Sequence, residues 1–172
     1  MNRLTHIFVS LSRIHHSLGF GIQSPTDYMF SRVVINQHLP YYAYEWLGKN
    51  DCWLKRKLGL LYFRLANWRQ PSEVIDRVGA SDYLIAGCRK ARIVADGQKV
   101  ELALVDIGDD VTSLLERCDD RSLVCVENIW KKKKVWQQLC EDLRVSLSYD
   151  LYYCGILLFD SKRIKQHYKI NF

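Results

Sequence analysis

The sequence predicts an α/β fold in which a mostly parallel sheet is preceded by helices. Four short apolar runs, each closing on an acidic residue or a glycine, have the length and composition of buried strands. Segments with helical spacing of apolar residues lie between several of these runs, and two later runs are close enough in sequence to pair as a hairpin. Alternating strands and helices with a terminal hairpin are typical of a parallel sheet with an antiparallel edge.

Helical patterns occupy the first 70 residues. The pattern over 1–18 predicts an amphipathic helix, because its apolar residues are spaced alternately by three and four. These apolar residues are Leu4, Ile7, Leu11, Ile14 and Leu18. So narrow an apolar stripe suits either packing within its own domain or a helix–helix contact in a homodimer. Further helices are predicted at about 26–37, at 41–47 and from Asp51 to Pro71.

The predicted strands all lie in the remainder of the chain. We therefore predict an N-terminal helical segment (1–70) followed by an α/β domain (71–172), packed together as one compact unit. The central strand is 100–106, which is apolar over almost its whole length and should be buried on both faces. The other predicted strands are 73–78, 91–96, 122–127, 145–151 and 155–159. The predicted helices in this part are 82–90, 111–118 and 132–142.

Composition limits the classes of function. The chain has 172 residues, of which 48% are hydrophobic, and a formal net charge of +6, which permits an anionic partner without identifying one. We therefore do not expect nucleic acid as a partner from charge alone. Six cysteines show no C-x-x-C pair, and no stretch has the length or composition of a signal peptide or a membrane span. We expect a cytoplasmic protein with thiols rather than disulfides, and no membrane partner.

Acidic residues end neighbouring strands of the predicted sheet. The carboxyl ends of parallel strands are where ligands bind in such sheets, and Asp106 is predicted to lie at one of these ends. Asp96 could accept hydrogen bonds from ribose hydroxyls, or could simply form an Asp-Gly turn with Gly97. Glu127 and Asn128 could join Asp106 around a divalent cation, but solvated strand ends are the commoner arrangement, and we predict no metal.

The turn after the first strand is the candidate cofactor loop. It reads Val78-Gly79-Ala80-Ser81-Asp82, and a single glycine before a helix is a weak signal for a nucleotide-type ligand. A plain strand–helix connection would have the same sequence character.

Two further stretches have a structural and a functional interpretation. The lysine run 131–134 is typical of a solvated helix face. The aromatic residues in 41–68 could form a base-stacking surface, although their helical spacing favours core positions.

Several stretches resemble one bacterial protein family. They are Phe20-Gly21-Ile22-Gln23-Ser24-Pro25, Tyr41-Tyr42-Ala43-Tyr44-Glu45, Leu60–Asn67, Tyr149–Ile156 and Lys165–Phe172. Together they are similar to class I S-adenosylmethionine-dependent methyltransferases common in Bacteroidetes. The resemblance implies a Rossmann-like methyltransferase sheet in which Gly79 and Ser81 belong to the cofactor loop. It also implies that Asp96 binds the ribose, and that Asp106 is the catalytic or metal-binding acid.

Two departures from the family pattern change the functional prediction. The glycine-rich loop is reduced to Gly79-Ala80-Ser81, and only Gly97-Gln98-Lys99 stands where the family has a helix, a strand and another helix. That segment normally forms one wall of the adenine pocket, whose apolar contacts bury the ligand. We therefore predict one strand fewer than the family, and a methyltransferase-like protein whose catalysis is weakened or lost. If active, it would use Asp106 to orient or deprotonate a small-molecule or protein acceptor.

Two other functions remain open. A non-catalytic interaction protein would keep the fold and bind a partner, including a second copy, through the 1–18 helix or the 131–134 lysines. A basic nucleic-acid-binding module would require those lysines to share a face with Arg89, Lys90 and Arg92.

Overall fold

A computed structural model describes residues 3–19, 21–37 and 40–172, with side chains described from Phe8 to His16 and throughout the two later ranges. The chain divides into two compact units. The helical unit comprises Met1–Gln70, Ala80–Ala91 and Ile170–Phe172, and the sheet unit comprises Pro71–Gly79 and Arg92–Lys169. None of the described helices combines the length and the apolar character that crossing a membrane would require.

The helical unit begins with several short helices. They are α1 (Arg3–Ser12), a 3-10 helix (Ile14–Gly19), α2 (Pro25–Phe30), a π-helical turn (Ser31–Ile35) and a second 3-10 helix (Tyr42–Glu45). The predicted helix over 1–18 is thus an α-helix only as far as Ser12. Helix α2 begins at Pro25, close to the predicted start at about 26, and the hydroxyl of the preceding Ser24 accepts the Asp27 N–H at 3.4 Å.

Helix α3 (Trp53–Arg69) is the long element of the helical unit and contacts α4 (Ser81–Gly87). It ends at Gln70, which adopts the left-handed conformation with φ 53°. Two glycines permit the close approach of the helices. A Cβ on Gly87 would lie 2.3 Å from the Phe63 carbonyl oxygen, and one on Gly59 would lie inside the Tyr83 ring. The predicted helix at 41–47 is only the 3-10 helix Tyr42–Glu45.

The sheet unit contains seven strands in the order β2-β1-β3-β4-β6-β5-β7. Their bounds are β1 (Glu73–Asp76), β2 (Arg92–Val94), β3 (Val100–Asp106), β4 (Cys118–Glu127), β5 (Leu147–Asp150), β6 (Cys154–Leu158) and β7 (Gln166–Lys169). Strands β1 to β4 pair in parallel, as predicted, and β3 is buried along both faces. Strand β2 is shorter than the predicted 91–96, because the chain turns away after Val94.

The end of the chain forms the predicted antiparallel hairpin and one further strand. Strand β6 pairs antiparallel with both β4 and β5, so it alone among these seven strands opposes the others. Strand β7 pairs in parallel with β5, and its side chains are exposed apart from the half-buried Tyr168. An edge strand with mainly polar, exposed side chains carries little hydrophobic signal, which is why no strand was predicted there.

One face of the sheet carries helices α5 (Val111–Leu115) and α6 (Lys133–Glu141), whose apolar residues join the sheet in a buried core. The Trp136 indole lies directly against Gly155 of β6, where a Cβ would come within 2.1 Å of the ring. Glycine at this position therefore lets a large aromatic side chain pack flat against the sheet.

Candidate functional site

Asp106 is the last residue of β3 and lies half-buried at the carboxyl end of the sheet. Asn128 Nδ2 donates a hydrogen bond to Asp106 Oδ2 at 2.5 Å, and the Gly108 N–H donates to Oδ1 at 2.8 Å. The Asp106 N–H in turn donates to Asp109 Oδ2 at 2.8 Å. The bonds from Asn128 and Gly108 hold the Asp106 carboxylate in one orientation, from which it can still accept a hydrogen bond from a hydroxyl or an amine.

Asn128 follows β4 in the left-handed conformation, with φ 60°, which asparagine tolerates better than most residues. Its backbone N–H donates to the Tyr153 carbonyl oxygen at 2.7 Å. Its side chain faces Asp106 with the NH2 group, so the contact is a donor–acceptor pair rather than two oxygen ligands. Within the described residues, no group of three or more acidic, histidine or cysteine side chains is placed to hold a metal ion.

Positive charge lies beside this carboxylate. All four lysines of the run 131–134 are exposed, and a Cβ on Gly108 would lie 3.7 Å from Lys132 Nζ and 3.0 Å from Asp106 Oδ1. Lys131 Nζ lies 5.7 Å from the centre of the Trp130 ring, and that ring is nearly parallel to Tyr152 at a centroid distance of 6.3 Å. The carboxyl end of β3 and β4 therefore combines one fixed acid with cationic and aromatic side chains.

The backbone N–H groups of the turn after β1 donate to a side chain of the same turn. Gly79 has φ 76°, a conformation that favours glycine, and the space around its Cα is open. However, the N–H groups of Val78 and Gly79 both donate to Asp76 Oδ1, at 3.1 and 3.0 Å. The donors that would bind an anionic or polar ligand at this turn therefore already have an acceptor.

Ser81, the other residue predicted in this loop, is the first residue of α4. It belongs to the helical unit, whereas Gly79 is the last residue of the first segment of the sheet unit. Helix α4 has seven residues, and Ala80 precedes it without a side-chain cap.

Asp96 is held by a residue that the sequence analysis did not single out. Arg117 Nη1 donates hydrogen bonds to Asp96 Oδ1 and to the Gly97 carbonyl oxygen, the latter at 2.7 Å. The hydrogen bond from Arg117 lowers the pKa of the Asp96 carboxyl group. The Asp96 side chain is 68% exposed, so this ion pair lies at the surface of the sheet unit.

The pair also fixes where Asp96 lies along the sheet. The Val100 N–H donates to the Arg117 carbonyl oxygen at 3.2 Å, which places Arg117 beside the first residue of β3. Asp106 is the last residue of that strand, and the two ends of a strand of this length are about 20 Å apart. The structure therefore brings Asp106 together with Asn128, and Asp96 together with Arg117, but does not gather the two acids at one edge.

Little in the sequence pointed to these partners. Asp76 followed by a glycine three residues later is the recognisable pattern of a turn closed by an aspartate side chain. Arg117 carries no such signal, because it contacts Asp96 from 21 residues further along the chain. Its role follows only from the short return of the chain between β2 and β3.

The residues that the resemblance assigns to S-adenosylmethionine do not fit that ligand. The loop amides at Val78 and Gly79 are bound by Asp76, and the ribose-binding candidate Asp96 is bound by Arg117. Only residues 95–99 connect β2 to β3, where an adenine pocket would need a wall. Comparison with known proteins found no matching family model, curated protein or solved structure.

Proposed function

We propose that this chain is a methyltransferase-like protein that no longer binds S-adenosylmethionine and acts without catalysis. The ion pair between Asp96 and Arg117 carries this proposal. The resemblance implies that Asp96 is the acid that accepts hydrogen bonds from the ribose hydroxyls of the cofactor. Here that carboxylate has an arginine as its partner, and the five-residue return segment keeps it near the start of β3.

The kinship itself is supported by the order of the strands. With one helix–strand–helix segment removed after Asp96, the fourth strand of the family's sheet corresponds to β3, which ends in Asp106. The family's fifth strand then corresponds to β4, which ends in Glu127 and is followed by Asn128. The closing hairpin corresponds to β5 and β6, with β6 antiparallel beside β4. In this proposal the family's sheet is retained and its cofactor site is lost.

Calorimetric titration with S-adenosylmethionine and S-adenosylhomocysteine tests the proposal. We expect no heat of binding at about millimolar ligand, because the loop donors and the ribose acceptor are occupied by side chains of the protein. Saturable binding with a micromolar Kd that is lost in Asp96→Ala would overturn the proposal. Circular dichroism of the same samples shows whether the wild type and the variant are equally folded.

A second candidate function is self-association through the first helix. The predicted apolar stripe includes Leu11 and Ile14, and the structure leaves these side chains 60% and 57% exposed, with Phe8 beside them at 74%. The side chains of Leu4, Ile7 and Leu18 lie outside the described residues. Phe8 and Leu11 lie one helical turn apart on α1, and their exposed side chains suit pairing with the same helix of a second copy.

Sedimentation at several protein concentrations tests this candidate. We expect a dimer that becomes a monomer in Leu11→Glu, while Val135→Glu, a matched change at a half-exposed apolar residue of α6, leaves the dimer intact. A wild-type chain that stays monomeric at all concentrations contradicts the candidate and leaves the cofactor proposal unaffected.

A further inference from the structure

The helical unit contains an open groove with a volume of about 790 Å³. We call it the aromatic groove and define it by six of its lining residues: Tyr42, Trp46, Lys49, Asp82, Ile85 and Arg89. A volume of this size lies within the range of small-molecule sites, which is roughly 300–1,000 Å³. The described residues of the groove belong to one compact unit, and none of them is part of the site at Asp106.

Tyr83 contributes a fixed wall to the groove. Its ring fits against Gly48 and Gly59, where a Cβ would overlap the phenol, and Gly48 also has a φ of 66° that favours glycine. The Tyr83 hydroxyl donates to Asp51 Oδ2 at 2.7 Å, and Asp51 in turn forms an ion pair with Lys55 at 3.0 Å. This wall is therefore preorganised, with its acid already compensated by a cation.

Two aromatic side chains of the groove face solvent. Tyr42 is 82% exposed and Trp46 is 56% exposed, whereas Tyr62 and Phe63, in the same aromatic-rich region, are buried in the core. The helical spacing of the aromatic residues in 41–68 favoured core positions, and the structure places only some of them in the core. An exposed indole beside an exposed phenol offers flat surfaces on which an aromatic ligand can stack.

The lining of the groove contains two cations, Lys49 and Arg89, and two acids, Asp51 and Asp82, of which Asp51 is paired with Lys55. Lys49 and Arg89 are exposed, and neither has a hydrogen bond or an ion pair among the described residues. The whole helical unit has eleven Lys and Arg residues against four Asp and Glu, which leaves seven net positive charges. Asp82 is the one lining acid whose charge no described cation pairs, so the groove also contains an internal source of repulsion toward anions.

We propose that the aromatic groove binds a nucleoside monophosphate, with the base stacked on Trp46 and Tyr42 and the phosphate paired with Lys49 and Arg89. Stacking alone or phosphate contacts alone would be weak at an exposed surface, so the ligand needs both parts in one molecule. The groove is large enough for one nucleotide, and the proposal commits to a mononucleotide rather than a nucleic-acid chain.

Calorimetric titration with AMP tests this proposal, with adenosine and inorganic phosphate as the two separated halves. We expect AMP to bind with a Kd below about 1 mM, and each half to bind at least about tenfold more weakly. Absence of AMP, GMP, CMP and UMP binding at about 10 mM would overturn the proposal. Binding of an oligonucleotide of ten nucleotides without binding of the mononucleotides would also overturn it.

Variants assign the binding to the groove. We expect Trp46→Ala and Arg89→Ala each to weaken AMP binding about fivefold or more, and Asp82→Asn to strengthen it, because a like charge is removed. The matched controls are Trp68→Ala and Lys90→Ala, which change an exposed tryptophan and a neighbouring cation that do not line the groove. Equal effects in variants and controls would contradict the assignment.

The AMP titration and the S-adenosylmethionine titration test the two proposals independently. Binding of S-adenosylmethionine that is lost in Asp96→Ala contradicts the proposed function and leaves the groove untouched. AMP binding that is lost in Trp46→Ala supports the groove, whatever the result for S-adenosylmethionine.

Discussion

The two compact units differ in whether the polar side chains of their candidate ligand sites have partners within the protein. In the sheet unit, the groups predicted to bind a ligand are paired within the protein: Asp76 with the turn amides, Asp96 with Arg117, and Asp106 with Asn128. The helical unit has an excess of basic residues, and Lys49 and Arg89, which line the same groove as two exposed aromatic rings, form no hydrogen bond or ion pair among the described residues. Apart from Ser81, the residues that the resemblance assigns to the cofactor or to catalysis therefore lie in the sheet unit, whereas the proposed groove lies in the helical unit.

The largest expected effect concerns a buried cation in the helical unit. Arg64 is 6% exposed, and its guanidinium donates to the carbonyl oxygens of Val34 and Ile35 at 2.5 and 3.0 Å, and to the Tyr44 hydroxyl at 3.0 Å. Arg64→Met would leave these acceptors buried without donors. We expect a loss of about 3 kcal/mol in the free energy of unfolding, measured by urea denaturation.

Arg117→Met is the matched control in the sheet unit. Arg117 also binds a carbonyl oxygen, but its acidic partner Asp96 is largely exposed, and water can replace the lost contacts. We expect little change in the unfolding midpoint. Equal destabilisation by the two substitutions would contradict the distinction between a buried network and a surface ion pair.

A smaller effect is expected in the core of the sheet unit. Gly155→Ala would place a methyl group 2.1 Å from the Trp136 ring, so we expect a loss of about 1–3 kcal/mol in urea denaturation. The cause is a clash between two identified groups. The double variant Gly155→Ala with Trp136→Leu should therefore lose less free energy of unfolding than the two single variants lose when their losses are added. Additive effects would show that the glycine is required for some reason other than the indole.

The smallest effect concerns thiol reactivity, which also compares the two units. Cys52 in the helical unit is exposed, whereas Cys140 in the sheet unit is buried, and burial raises the pKa of its thiol to about 11. At pH 8 the thiolate form of Cys140 would be about one part in a thousand. We expect iodoacetamide to modify Cys52 first, as followed by mass spectrometry of digested protein. Modification of Cys140 at an equal rate would show that the sheet unit opens readily.

Sequence reasoning predicted the centre of the sheet well, because hydrophobic runs such as Val100–Asp106 depend on local pattern alone. It placed the four parallel strands and the hairpin correctly. It missed β7, which is polar. It also predicted helices over 1–18 and 41–47, where the chain forms 3-10 helices at Ile14–Gly19 and Tyr42–Glu45. Weakly amphipathic ends of this kind are decided by tertiary packing rather than by spacing.

The candidate site was harder to predict than the fold. The position of Asp106 at a strand end followed from the sequence, but its orientation depends on Asn128, 22 residues away. The place of Asp96 depends on Arg117 and on the path of residues 95–99. Contacts between polar side chains far apart in the sequence leave no periodic trace in a single sequence, so the pairing of these groups could be found only in three dimensions.

The most direct test of the central claim is a titration of ¹⁵N-labelled protein with S-adenosylhomocysteine, followed by amide resonances. We expect the amides of Gly79, Asp96 and Gly97 to keep their chemical shifts at about millimolar ligand, because their hydrogen-bonding groups are already bound within the protein. Saturable shifts at these three amides would mean that the cofactor site is intact.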